Sequence, residues 1–189
     1  MPFLLYERNN KMAKRKKNNT KWIITITILA FTISFVFSLI SEMTLSKVGL
    51  ILGTIILLLF ISIGILFDMI GVAVTSGTES PLNAMSSKKI KGAKKAVSFK
   101  KNADKVSSFC NDVIGDICGI ISGSAGVTIT ATIAEIYELN IFWVGLIITA
   151  VIASLTIGGK AIFKSVAMKN SNKIVYITAK VMSIFEKKK

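Results

Sequence analysis

Long uncharged runs alternate with short lysine-rich segments along this chain. Trp22–Ser41 is uncharged for 20 residues, and Val48–Phe67 for another 20. After Asp68 the second run continues in apolar and small residues to Thr78. Ile117–Ala134 supplies 18 residues rich in Gly, Ser and Thr, and Leu139–Gly159 supplies 21. A bilayer core about 30 Å thick needs roughly 20 apolar residues in a helix. The pattern therefore predicts four membrane helices, at 22–41 and about 48–78, 108–134 and 139–159. The first run has the basic flank of a signal peptide. Its length exceeds the usual 7–15 apolar residues, and SLISEM offers no convincing small-residue cleavage site, so it is read as a retained span.

Two further helices are predicted outside the spans. Residues 82–106 are rich in helix formers and lysine, with a thin apolar stripe of Ile90, Ala93, Val97 and Phe99. In the last segment, about 165–186, Ile174, Ile177, Val181, Ile184 and Phe185 recur at helical spacing, with Asn170 or Ser171 as a cap. Such basic helices can lie along anionic cytoplasmic headgroups or pack as solvated helices on their neighbours. The expected class is thus an all-α polytopic membrane protein with two basic juxtamembrane helices. A flexible basic tail at 1–21 and an additional span at 22–41 precede a domain at 48–186.

Charge sets the orientation. Residues 1–21 hold seven bases against Glu7, residues 81–106 hold eight lysines against Asp104, and the tail from Lys160 holds eight lysines against Glu186. The connections between them carry Glu42 with Lys47, and Glu135 with Glu138. Four spans put all three basic segments on one side, which the positive-inside rule makes cytoplasmic. The expectation is a multi-pass protein of the plasma membrane with both termini inside. The same count accounts for most of the net charge of +14 without nucleic acid as a partner.

The chain has no His, which removes the commonest general base and metal ligand. No nucleophile–base pair is apparent either, and an enzyme is not expected. Cys110 and Cys118 are read as buried packing residues, and Trp22 and Trp143 as interface anchors. Ionisable residues at membrane depth are functional by default. Here they are Asp68, Glu79, Asp112, Asp116 and Lys160, with Asn111 beside Asp112. Asp112 and Asp116 are four apart, on one helix face. Oxygen ligands without nitrogen or thiolate would suit a hard cation such as Mg²⁺ or Na⁺. Wetted span ends with no bound ion are the alternative for each residue.

Three stretches carry a resemblance. Ser76-Gly77-Thr78-Glu79-Ser80-Pro81-Leu82 ends a span and precedes a basic helix. Cys110-Asn111-Asp112-Val113-Ile114-Gly115 opens the next span, and Gly158 to Ala167, GGKAIFKSVA, closes the last before an amphipathic helix. In order and spacing, Phe67–Glu186 resembles the transmembrane domain of the CNNM/CorC (CorB) magnesium and cobalt efflux family. The resemblance implies a Mg²⁺ site from small hydroxyl residues of the first shared span, Asn of the second and Glu of the third. It also implies a homodimer. Ser76, Glu79, Asn111, Asp112 and Asp116 are the candidate metal ligands, and Na⁺ is a candidate coupling ion. The departures are specific. Lys160 stands where the family has its third-span Glu, Phe163 replaces a Pro, and Asp112 replaces an Asn. No pair of CBS modules follows in this sequence, and a separate CBS-containing protein is a candidate partner.

Two main readings follow, beside a peripheral role for the basic surfaces, such as anionic-lipid or partner binding. One is a small divalent-cation transporter or efflux protein, for which Lys160 is the chief electrostatic difficulty. The other is a non-transporting relative with a structural or regulatory role, in which Lys160 pairs with Asp112 or Asp116 and fills the cation's place.

Overall fold

The computed structural model describes residues 23–39, 43 and 49–186, without the side chains of 185 and 186. The basic tail 1–21 and Trp22 lie outside the described residues. All regular structure among them is helical. α1 is Ile23–Leu39. It is followed by α2 Leu50–Ser76, α3 Glu79–Ser87, α4 Ala93–Lys101 and α5 Ala103–Ser108. A π-helical segment, Phe109–Gly115, joins α5 to α6 Asp116–Ile136, and α7 Ile141–Lys169 and α8 Ser171–Glu186 complete the order.

Three helices are long and apolar enough to cross a membrane: Leu50–Ser76, the continuous Ala103–Ile136, and Ile141–Lys169. α1 is apolar but has 17 described residues, about 26 Å at 1.5 Å per residue, short of a hydrocarbon core of about 30 Å. The spans carry many hydroxyls. Most are turned back onto their own helix: Thr54 donates to Leu50 O, Thr130 to Gly126 O and Ser154 to Ala150 O. This satisfies polar side chains where water is scarce.

α2 is the axis on which the other spans pack. Leu57, Ile61 and Ile65 of α2 are buried with Ala125 and Ile129 of α6, and Ile148 and Ile152 of α7 lie against them. On another side Phe60 of α2 meets Val113, Ile117 and Ile121, and Ile26, Ala30 and Ile33 of α1 close over that group. At the lysine-rich end, Ala73 and Val74 of α2, Leu82, Ala96, Ala167, Val175 and Ala179 form a core of mostly small residues. Small side chains let five helix segments meet there at close range. α7 is different. Only Ala167 of it is buried, and Phe142, Trp143, Ile147, Val151 and Ile157 all face outward. On a soluble protein so large an apolar surface would mark an interface; a membrane span can turn such a face to lipid or to another helix. Asn140 caps this helix, its Oδ1 accepting from Phe142 N at 2.9 Å.

The boundaries differ from the sequence pattern in three places. The single basic helix expected at 82–106 is two short helices, with its last residues given to the continuous helix Ala103–Ile136, the third helix of the bundle after α1 and α2. Lys89 at φ 54° and Gly92 at φ 86° break the chain between α3 and α4. Only Gly tolerates such a φ without strain, and a Cβ on Gly92 would also stand 2.8 Å from Lys180 Cα. The span expected from 108 begins at Ala103. The last span runs to Lys169, so the final helix begins at Ser171 rather than near 165. Lysines flanking a span continue its helix, and hydropathy alone does not mark that end.

Two glycines test this account. Gly92→Ala should destabilise the purified protein by about 1–2 kcal/mol for the backbone alone, with more from the Lys180 contact. Gly119→Ala, where an added Cβ meets nothing within 4 Å, should be neutral or stabilising by up to about 1 kcal/mol. Thermal unfolding of both variants in one detergent checks the contrast.

Candidate cation site in a polar layer of the bundle

The π-helical segment is the first irregularity of the bundle interior. Such segments widen one turn of a helix and are frequent at functional sites. Here the widened turn carries Asn111 toward α2. Its carboxamide lies over Gly71, so closely that a Cβ on Gly71 would run into Asn111 Oδ1. The approach requires glycine at that position. Asn111 Oδ1 is buried and has no hydrogen-bond partner. An unpaired buried carbonyl oxygen costs about 1–3 kcal/mol, and in a membrane interior no bulk water is available to repay it.

One turn earlier on α2, Asp68 faces α7. Lys160 Nζ stands 3.8 Å from Asp68 Oδ1, with the two side chains 35% and 18% exposed. The separation is that of an ion pair rather than a short charge-assisted hydrogen bond. Cys118 of α6 lies within electrostatic reach of Lys160, and Gly64 lets the Cys118 side chain approach α2, an added Cβ there standing 3.1 Å from Cys118 Cβ. Gly159, next to Lys160, likewise leaves room for Ile65 of α2. Asp68, Gly71, Asn111 and Lys160 thus form one polar layer across α2, the third helix and α7. Asp68 is eight residues from the end of α2, about 12 Å inside the lysine-rich end at 1.5 Å per residue.

The other candidate residues stand apart from this layer in their surroundings. Ser76 and Glu79 are exposed, on either side of the turn between α2 and α3. Glu79 opens α3, where a carboxylate favours the helix dipole. The turn itself is held from two sides. Lys100 Nζ donates to Val74 O at 3.1 Å and Thr75 O at 2.8 Å, closing the carboxyl end of α2. Asn172 accepts from Thr78 N at 3.0 Å and donates to Thr78 Oγ1 at 3.1 Å. Asp112 and Asp116 are exposed. Asp112 faces an open cavity of 640 Å³ between α1 and the third helix, shared with Thr27, Asp104 and Ser108. Among the described residues, no three of Cys, Asp and Glu converge as metal ligands.

The partner of Lys160 is therefore Asp68, not Asp112 or Asp116. The signal for it was depth: Asp68 and Lys160 are the charges that interrupt two neighbouring apolar runs at similar distances from their basic ends. The carboxylates four apart were the more conspicuous pattern, but both are exposed. Lys100 and Asn172 left no signal, because nothing in a lysine-rich or polar segment distinguishes the one side chain that reaches a carbonyl. No known protein-family model, curated protein or solved structure matches the chain.

The ion pair predicts a specific pattern of stability. Asp68→Asn alone leaves an ammonium without its counter-charge, and Lys160→Met alone leaves a carboxylate. Each should cost about 1–3 kcal/mol, below the 3–5 of a fully buried pair because both groups are partly exposed. The double variant Asp68→Asn, Lys160→Met should recover most of that loss. Thermal unfolding of the three variants beside the parent measures the coupling.

Proposed function

We propose that this multi-span helical protein is a small divalent-cation transporter or efflux protein of the plasma membrane, working through the polar layer around Asn111. The observation that carries the reading is the orphan oxygen of Asn111, buried at a π-helical turn against a glycine. A hard oxygen donor without an internal partner suits a hard cation. Lys160 is the natural objection, since an ammonium repels Mg²⁺. Asp68 answers it: the pair is internally neutral, and the charge an incoming cation meets is reduced accordingly. Asp112 and Asp116 remain as carboxylates on the same helix as Asn111, one of them facing a cavity. In this reading the chain has four spans, α1 belonging to the first, and both termini are cytoplasmic.

A second reading has its own observation. The Lys160–Asp68 pair is complete without any ion, so Lys160 can serve as a built-in cation in a non-transporting relative of the same architecture. Metal titration separates the two. In the first reading Mg²⁺ or Co²⁺ raises the unfolding temperature of the parent, by the equivalent of about 2.7 kcal/mol at one hundred times Kd. Asn111→Ala and Asp112→Asn should lose that gain, and dye-loaded vesicles carrying the parent should pass the metal while those carrying Asn111→Ala do not. No metal-dependent shift in the parent, with a gain only in Lys160→Glu, would establish the second reading.

Orientation is tested separately. In a Cys110→Ser, Cys118→Ser background, Thr44→Cys and Leu139→Cys should be labelled from outside intact cells. Ser98→Cys and Ser171→Cys should be labelled only after permeabilisation. Labelling of Ser98→Cys in intact cells would reverse the topology, against the eight lysines of its segment.

A further inference from the structure

We propose that the crevice beside α4 and α8 binds one anionic phospholipid from the leaflet on the lysine-rich side of the bundle. An apolar cavity of 430 Å³ opens there. Phe67 and Ile70 of α2, Phe109 and Cys110 of the π-helical segment, Phe99 of α4 and Met182 of α8 form its walls. The residues next to two of these walls in the chain, Ser98 and Ser183, line a second depression of 320 Å³ together with Gly92, Lys94 and Lys95. Phe99 of the cavity and Lys95 of the depression link the two. The Lys95 ammonium stands 5.9 Å from the centroid of the Phe99 ring.

Each half alone would be unspecific. An apolar cavity accepts any hydrocarbon, and a lysine-bordered depression any anion. Adjoining one another, they fit a molecule with a hydrocarbon chain and an anionic head, and a membrane supplies one. The cavity is in the range of small-molecule sites, about 300–1,000 Å³, and takes a segment of acyl chain rather than a folded partner. The charge is complementary over a wider area as well: residues 88–105 carry eight lysines against Asp104. Juxtamembrane lysines of this density attract anionic headgroups. The site shares the π-helical segment with the polar layer but uses its other residues, Phe109 and Cys110, and so stands or falls apart from the cation reading.

The test uses the full chain purified in neutral detergent, with phosphatidylglycerol, phosphatidylcholine or inorganic phosphate added. Bound lipid is counted by native mass spectrometry, and the unfolding temperature is followed. The parent should retain one phosphatidylglycerol and gain stability from it. Phosphatidylcholine and phosphate should do neither. Lys94→Glu and Lys95→Glu should each weaken retention about fivefold, the effect of one basic residue near an anionic surface. Met182→Trp, which fills the apolar cavity, should abolish it. If that variant does not fold, Ser183→Asp places an anion in the depression and should weaken retention as the lysine reversals do. Equal retention of both lipids, or retention of phosphatidylglycerol unchanged by the lysine reversals, would overturn the proposal. So would a lipid-free dimer dispersed by the same reversals, since a second copy of the chain would then fill the crevice.

Discussion

Gly71 has no side chain, and the carboxamide of Asn111 occupies the space. Much of the bundle's geometry depends on that contact. It fixes the third helix against α2 at a turn that is π-helical rather than α-helical. The residues that follow, Ile117 and Ile121, then reach the core they share with Phe60. Gly64, two turns earlier on α2, admits Cys118 in the same way. With the third helix seated, α7 closes on α2 through Gly159 and Ile65, and Lys160 meets Asp68. Without a hydrophobic drive between helices in lipid, close packing at small residues is what holds spans together.

The lysine-rich end follows a different logic. Its core is built from alanine, valine and one leucine, which lets α3, α4 and α8 lie close under the ends of α2 and α7. Polar contacts then set the register. Lys100 holds the last carbonyls of α2, and Asn172 holds the backbone and hydroxyl of Thr78. The turn at Ser76–Glu79 is thus tied to two separate helices, α4 and α8. A change in α4 or α8 would reach the end of α2, and the polar layer lies about one and a half to two turns away on the same helix.

Within that layer two features differ. The Lys160–Asp68 pair neutralises itself, whereas Asn111 Oδ1 has no partner. The first is closed on itself, and the second leaves acceptor capacity unused.

The apolar runs by themselves determined that the chain is helical and membrane-spanning, because a backbone in lipid has few other ways to satisfy its hydrogen bonds. Three of the runs are helices of span length, and the run around Ile23–Leu39 is helical as well. Asn111 was legible as a candidate from its place at the start of a span. Its burial and its lost partner were not, since they depend on Gly71 in another helix. Lys160 was legible as an intramembrane charge, but its partner was decided by how α7 packs on α2. The break at Lys88–Gly92 was hidden by good helix formers on both sides, and the close passage of α8 at Lys180 accompanies the left-handed turn at Gly92. Composition and periodicity record what each segment buries. Which side chains then meet across helices depends on where small residues allow the helices to approach, and only the tertiary structure decides that.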